Sequence, residues 1–325
     1  MKLTVLMPVH RVDRFLFESV DSVTRDLPAD SELLLVLNGN ALNREYEIRS
    51  QLENPSPVRF IPSEDLAGGI VSALNMGLTS SRGEFIARMD SDDLVIPGRF
   101  AKQIAYLDSH LDVAVVGGQY QAICVHGSML WKSHLPKRVA GFRVAFLTSA
   151  VAHPTVMYRR RVIFDEGGYK TTFPHVEDQD LWMRILKRNQ IHNVGQVVLQ
   201  YRIHADQTSV IYAKIQSANF LRSFLHNRKL GLSNEETAFC GTPDEFISVI
   251  RQSKQLSKFR KQFYVAIVRY WSFISEVETS KESRLTIAFA HPLSAVLFGF
   301  INFKSLVWQA FSNRQVCAEC SQEEV

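Results

Sequence analysis

The stretch Glu84-Phe85-Ile86-Ala87-Arg88-Met89-Asp90-Ser91-Asp92-Asp93 sets an apolar run of strand length directly against three carboxylates. The run lacks the polar alternation of a half-solvated strand and predicts one buried on both faces. Three carboxylates within four residues repel one another unless a cation joins them. Mg²⁺ or Mn²⁺ suits them, because hard divalent ions take oxygen ligands and share them with phosphates. A solvated turn with helix-capping aspartates accounts for the same residues without a metal.

Reading outward, Leu3–Val9, Glu32–Leu37 and Val58–Ile61 have strand character, and Phe15–Asp26 and Gly69–Ser80 have helical character. After the aspartates a helix is expected from near Pro97 to about Ser109, then a strand over Val113–Gly117. This alternation predicts an α/β fold with a mostly parallel sheet flanked by helices. Such sheets bind ligands beyond the carboxyl ends of their strands. The polar clusters fall there: His10-Arg11 after the first strand, Asn38 after the second, Asp90–Asp93 after the fourth. No Gly-rich phosphate loop follows the first strand, so a nucleotide would be held differently. A nucleotidyltransferase on a similar sheet is one enzymatic reading, but it would be expected to carry such a loop, which Pro8-Val9-His10 does not supply. A non-catalytic nucleotide-binding or membrane scaffold protein is another reading.

Farther on, His153–Tyr158 and Val197–Ile203 read as strands and Asp180–Lys187 as a short helix. Glu177-Asp178-Gln179-Asp180 stands at the mouth of that helix, where a carboxylate serves either as a general base facing a cleft or as a cap. Tyr201-Arg202-Ile203-His204 ends the last strand. Beyond about residue 210 the strand signals stop, which divides the chain into 1–210 and a helical 211–325.

The 325 residues are 46% hydrophobic and 22% charged, globular proportions that exclude a disordered, collagen-like or coiled-coil chain. A net charge of +4 gives no case for nucleic acid, and none is expected as a partner. Residues 1–210 carry 23 Lys and Arg against 23 Asp and Glu, so the excess falls in residues 211–325, with 14 against 10. Within that tail, Phe246–Ser275 holds six basic residues and no acid. On a helix, Arg251, Lys254, Lys258, Lys261 and Arg269 share one face and Leu256, Phe259, Phe263 and Ile267 the other, a pattern that suits an anionic membrane surface. A helix packed on the preceding domain with its charges in water fits it as well. Leu285–Phe303 is nineteen residues without a charge, read as a monotopic or re-entrant hairpin, a buried helix or a span. The initial apolar run is too short for a signal peptide, and four scattered cysteines argue against a disulfide framework, so a cytoplasmic, reducing setting is expected. The closing Cys317 and Cys320 lack a second Cys/His pair for a zinc site.

Taken together, these pieces resemble the family-2 glycosyltransferases of GT-A fold, in particular their bacterial surface-polysaccharide branch. The resemblance covers roughly residues 3–210. It runs through Val5-Leu6-Met7-Pro8-Val9-His10, Leu35-Val36-Leu37-Asn38-Gly39, Ser72-Ala73-Leu74-Asn75-Met76-Gly77-Leu78 and the Arg82–Asp93 stretch. His153-Pro154-Thr155-Val156-Met157-Tyr158-Arg159, Glu177-Asp178-Gln179-Asp180-Leu181-Trp182 and Tyr201-Arg202-Ile203-His204 complete it.

The resemblance implies a metal-dependent, inverting transfer of a sugar from a nucleotide-diphospho-sugar, a UDP-sugar, to a glycan or lipid-linked hydroxyl. Asp90 and Asp92 match the D-x-D pair, with Asp92 on the Mn²⁺ or Mg²⁺ and Asp90 nearer the ribose. Asp178 matches the catalytic base and Glu177 its neighbour. Pro8, His10 and Asn38 match the base and ribose pocket, while Gly68, Asn75 and Arg88 are further donor-side positions. His204 matches a diphosphate or metal contact. Two departures stand out: His10-Arg11 replaces a common aromatic-Asn pair, and Asn38 replaces an acid. With the basic stretch Phe246–Ser275 and the uncharged Leu285–Phe303, a lipid-linked acceptor of the kind this family often has would make peripheral attachment to the inner face of the cell membrane useful, and that setting is expected.

Overall fold

A computed structural model describes residues 1–65, 69–139, 151–204, 206–228, 243–253, 256–258, 261–262 and 265. Gly68, Leu285–Phe303, Cys317 and Cys320 lie outside the described residues, and Phe246–Ser275 is described only in part. The chain divides into two compact units, Met1–Thr171 with Leu181–Ile203, and Thr172–Asp180 with His204–Val325.

In the first unit, β1 (Leu3–Val9) carries side chains alternately to two buried faces. Leu3, Val5, Met7 and Val9 join one core layer with Leu16, Val20 and Val23 of α1 (Arg14–Asp26). Leu6 joins the other with Val71, Leu74 and Leu78 of α3 (Gly69–Ser80). The period of two in the strand and of 3.6 in the helices thus produces a helix layer on each side of the sheet. α1 starts after Asp13, whose carboxylate accepts from the Phe15 and Leu16 N–H groups at 3.0 and 3.2 Å.

Beside β1 lie β2 (Ser31–Leu37), followed outward by β3 (Val58–Pro62), and β4 (Phe85–Arg88), all parallel. A short α2 (Glu45–Gln51) follows β2. The remaining strands are β5 (Leu94–Val95), β6 (Val113–Ile123), β7 (Met129–Lys132), β8 (Met157–Arg159) and β9 (Gln190–Arg202). Among the described residues these nine form one sheet in the order β3-β2-β1-β4-β8-β6-β9-β5, with β7 on β6. β8 enters antiparallel between β4 and β6, while β6 and β9 run parallel. The mixed α/β architecture expected from the alternation is present.

Several boundaries differ from the expected ones, among them the end of the strand from Val113, which runs on to Ile123, and the helix expected over Asp180–Lys187, which spans Glu177–Ile185; three others have a local reason. His153–Thr155 is a 3-10 turn rather than strand, because Pro154 has no N–H for a ladder and suits a first helical turn. α4 (Arg99–Ser109) begins two residues after Pro97, because Gly98 takes φ +82°. The Asp26 carboxylate at the end of α1 accepts from the Gly98 and Phe100 N–H groups and so caps α4 from a distance. β9 begins seven residues before Val197. Its first half escaped notice because His192 and Asn193 interrupt the apolar run, yet both are buried, on the Tyr106 hydroxyl and the Pro136 carbonyl.

α5 (Arg160–Asp165) follows β8, and α6 (Glu177–Ile185) starts in the second unit and ends in the first. In the second unit α7 (Thr208–Ile211), α8 (Ala213–Arg228) and α9 (Pro243–Gln252) follow, with α8 packed on α9. No helix among the described residues is long and apolar enough to cross a membrane.

Candidate active site

The parallel order β2-β1-β4 brings three strand ends to one edge of the sheet. β4 is buried along its whole length and releases the chain at Met89, so Asp90, Asp92 and Asp93 leave the sheet together. One carboxylate oxygen from each lies within 4.8 Å of the others. Asp90 and Asp92 are half-buried, and Asp93 is fully buried. Ser19 of α1 donates to the Asp90 carbonyl at 3.1 Å, and Ser22 accepts from the Val95 N–H at 3.0 Å. The polar positions of a largely apolar helix face thus hold both ends of the acidic turn.

Three arginines surround this turn. Arg88 is buried and its Nη1 pairs with Asp90 Oδ2. Burial disfavours the Arg88 charge, but Asp90, together with Tyr169 and Asp93, outweighs it and holds the group protonated. Arg99, also buried, donates to the Arg88 carbonyl, Gln103 and Met89 Sδ. Burial brings its guanidinium down to about 9, against the pull of Asp93 and Asp26.

Arg202 at the end of β9 is the third. Its N–H donates to Asp93 Oδ1 at 2.8 Å and its Nε to the Asp92 carbonyl at 2.8 Å. Nη1 reaches the Val125 carbonyl at 3.2 Å and Nη2 the Glu18 carboxylate at 2.6 Å. The guanidinium also lies 4.3 Å from the Phe15 ring centroid.

Asp93 is the strained member. Burial, then Asp92 and Asp90, push its carboxyl well above the usual range, more than the Arg202 N–H and Arg88 lower it. Its Oδ2 is buried and has no hydrogen-bond partner among the described residues. An all-oxygen set with mutual repulsion and an orphaned buried acceptor fits a hard divalent cation such as Mg²⁺ or Mn²⁺.

One consequence is testable without a substrate. Asp93→Asn keeps an acceptor for the Arg202 N–H and removes the buried charge. In EDTA its Tm should exceed that of the wild type by about 2–4 °C, the shift expected for roughly 1 kcal/mol. The rise on adding Mn²⁺ should shrink at the same time. Scanning fluorimetry reads both, and a lower Tm in EDTA would contradict the repulsion argument.

Pro8, His10 and Asn38 stand at the same edge. Pro8 costs no ladder bond toward β4, because the β1–β4 register ends at Leu6 opposite Arg88. The Asn38 N–H donates to the Val9 carbonyl at 2.9 Å, which ties the ends of β1 and β2. Asn38 itself is buried, and its side-chain Oδ1 has no partner among the described residues. The exposed His10 ring lies against Gly39, where a Cβ would fall 2.1 Å from the imidazole. Only glycine permits that approach, with φ +53°.

Asn75 is engaged elsewhere. Its Nδ2 donates to the Tyr169 carbonyl at 2.9 Å and its Oδ1 accepts from the Tyr169 N–H at 3.0 Å. Gly168, at φ +66°, allows this, since a Cβ there would meet Asn75 Oδ1 at 2.7 Å. The Tyr169 hydroxyl in turn lies 2.9 Å from Nε2 of buried His153, whose imidazole burial and then the Arg88 charge hold well below its ordinary range.

Glu177, Asp178 and His204 belong to the second unit. Glu177 is buried, and Asp178 is half-buried with Oδ1 accepting from the Gln179 N–H at 2.8 Å. Asp180 is buried and accepts from Asn227 Nδ2 at 2.9 Å. His204 is half-buried, and its carbonyl accepts from the Gln207 N–H.

Sequence reasoning missed Arg99, Arg202 and Glu18 as parts of the site. Arg202 sat in a quoted motif, and a charge closing an apolar strand was the available signal. Nothing local marks Arg99, whose place in a first helical turn reads as exposed.

The family model described as Glycosyl transferase family 2 matches residues 4–168. The O-antigen biosynthesis glycosyltransferase WbnJ of Escherichia coli is 32% identical over 238 residues, covering 70% of this chain and 91% of the relative. Residues 1–349 of S. aureus TarS, solved in complex with UDP-GlcNAc, superpose with a TM-score of 0.54 at 18% identity, covering 84% of this chain and 73% of that one. The mannosyltransferase PcManGT of Pyrobaculum calidifontis, solved with GDP-Man and Mn²⁺, superposes with a TM-score of 0.57 at 12% identity, covering 96% and 84%. Both structures share the GT-A architecture. The chain is a glycosyltransferase with a GT-A fold, and it belongs to glycosyl transferase family 2.

Proposed function

We propose that this chain is a metal-dependent, inverting glycosyltransferase that moves a sugar from a UDP-sugar to a hydroxyl of a glycan or lipid-linked acceptor in cell-surface polysaccharide synthesis. The observation that carries the reading is the Asp90-Asp92-Asp93 cluster at the end of β4. The polysaccharide setting draws on WbnJ, whose name places it in O-antigen biosynthesis. The nucleotide-sugar donor draws on the complexes of TarS and PcManGT.

Asp92 is the proposed principal ligand for the cation, with Asp93 behind it and Asp90, paired to Arg88, on the ribose side. A bound divalent cation would neutralise the diphosphate as it leaves, in place of a general acid. Asn38 Oδ1 supplies a buried acceptor suited to an N–H on the edge of the base, and His10 a ring to lie against it. Pro8, Gly68 and Asn75 remain donor-side positions by family likeness, and His204 a diphosphate or metal contact. Asp178 takes the proton from the acceptor hydroxyl as it attacks the anomeric carbon, with Glu177 supporting it. One displacement opposite the leaving group inverts the configuration. Residues 1–210 form the proposed catalytic domain, and the basic tail 211–325 docks it on the inner, anionic face of the cell membrane.

A thermal-shift series tests the donor and metal together. UDP-sugar with Mn²⁺ should raise the midpoint of the wild type, as a ligand of the native state does, by about 2.7 kcal/mol of stability at a hundredfold excess over Kd. Asp92→Asn should lose most of that rise, and EDTA should remove it. An undiminished shift in EDTA would refute metal dependence, and a response to GDP-sugars alone would refute the uracil assignment. Donor hydrolysis in Mn²⁺ separates an enzyme from a non-catalytic binder.

A further inference from the structure

α8 turns a row of polar side chains inward. Among its described side chains, Asn219, Arg222, Ser223 and Asn227 are buried, while Ile215 is exposed. A polar face turned inward is retained where hydrogen bonds satisfy it. Several of the partners lie in one short segment, Phe173–Asp180.

Tyr212, just ahead of α8, stacks on His175 with ring centroids 3.9 Å apart and planes 12° from parallel. Gln216 Nε2 donates to the His175 carbonyl at 3.1 Å, and Asn219 Nδ2 to the Pro174 carbonyl at 2.8 Å. Ser223 Oγ and Asn227 Nδ2 both donate to Asp180 Oδ1, at 3.4 and 2.9 Å. Positions 212, 216, 219, 223 and 227 recur at helical spacing and make one stripe. Beside it, Arg222 and His226 each lie 5.6 Å from the Phe173 ring centroid.

These ties bracket Glu177 and Asp178 on both sides. His175 also holds φ +65°, a left-handed conformation that a non-glycine residue keeps only where its surroundings impose it. The Tyr212 stack and the Gln216 bond both fall on this residue.

We propose that α8 is a clamp that fixes the geometry of Glu177 and Asp178, with Tyr212, Gln216, Asn219, Ser223 and Asn227 as positioning residues for sugar transfer. The proposal rests on the reading of Asp178 as the base. It makes the region after residue 210 a working part of the catalytic apparatus in addition to any docking role.

The test uses the full chain and three readouts: kcat, donor KM and hydrogen exchange of residues 173–180. The double variant Gln216→Ala/Asn219→Ala should lower kcat by about 10- to 100-fold, as a displacement near 1 Å does. Donor KM should stay within about twofold, because donor binding is not what the clamp sets. Exchange across 173–180 should quicken. Tyr212→Ala should act in the same direction, and Tyr212→Phe should restore most of the loss by restoring the stack. If circular dichroism shows the double variant unfolded, the single variants carry the test. Unchanged kcat or unchanged exchange in folded variants overturns the clamp, provided Asp178→Asn is inactive. An active Asp178→Asn overturns the base instead, and the exchange data still decide whether α8 holds the segment.

Discussion

Asp178→Asn should abolish sugar transfer and leave donor binding intact. The substitution is nearly isosteric, and the amide oxygen still accepts from the Gln179 N–H, so the first turn of α6 is preserved. What disappears is the capacity to take a proton at neutral pH. General-base catalysis contributes about 10²- to 10⁴-fold, and without an alternative base the loss should reach the upper end, about 10³ or more in kcat. Titration calorimetry with the UDP-sugar and Mn²⁺ should give an affinity within about twofold of the wild type, since binding and chemistry separate in such a variant. Turnover near the wild-type rate would remove Asp178 from the mechanism.

Arg202→Ala should have the largest effect on stability and a comparable one on cation binding. The wild-type side chain gathers Asp92, Val125 and Glu18 from three separate parts of the chain, and its own N–H holds Asp93. Truncation leaves the Asp92 and Val125 carbonyls without those donors and opens a void in a buried site, mechanisms that produce losses of about 3 kcal/mol or more. Lys at the position supplies a point charge without the planar fork and should recover little of this. Denaturant unfolding in EDTA measures the first effect. A Mn²⁺ titration measures the second, expected as at least a tenfold weaker Kd, about 1.4 kcal/mol. A stable Arg202→Ala with normal Mn²⁺ affinity would show that the acidic turn holds its own shape.

Legibility in the sequence followed a physical divide. The β1, β2 and β4 strands were readable because burial on both faces leaves an unbroken apolar run, and their polar ends marked the edge where Asn38 and Asp90 stand. The acidic turn was readable because three carboxylates so close together need a reason. Where burial is achieved by hydrogen bonding, the pattern is silent. His192 and Asn193 hid half of β9, and Arg99 and Arg202 looked like surface charges. The inward stripe of α8 left no signal for the same reason: side-chain amides are polar in the sequence whether water or a carbonyl receives them. Asn75 was legible as important but not for its task, since nothing in Ser72–Leu78 says that Tyr169 will be its partner.

The two-piece make-up of the second unit constrains how such an enzyme can be recombined. Thr172–Asp180 is spliced into the chain between parts of the sheet unit, and the rest of its unit follows only after Ile203. A chimaera that joins one parent to another anywhere within Leu181–Ile203 takes the segment bearing Asp178 from the first and the helix proposed to hold it from the second. The amides of α8 would then address carbonyls of a foreign loop. Exchange between relatives therefore has to move both pieces as one inheritance, however far apart they lie along the gene.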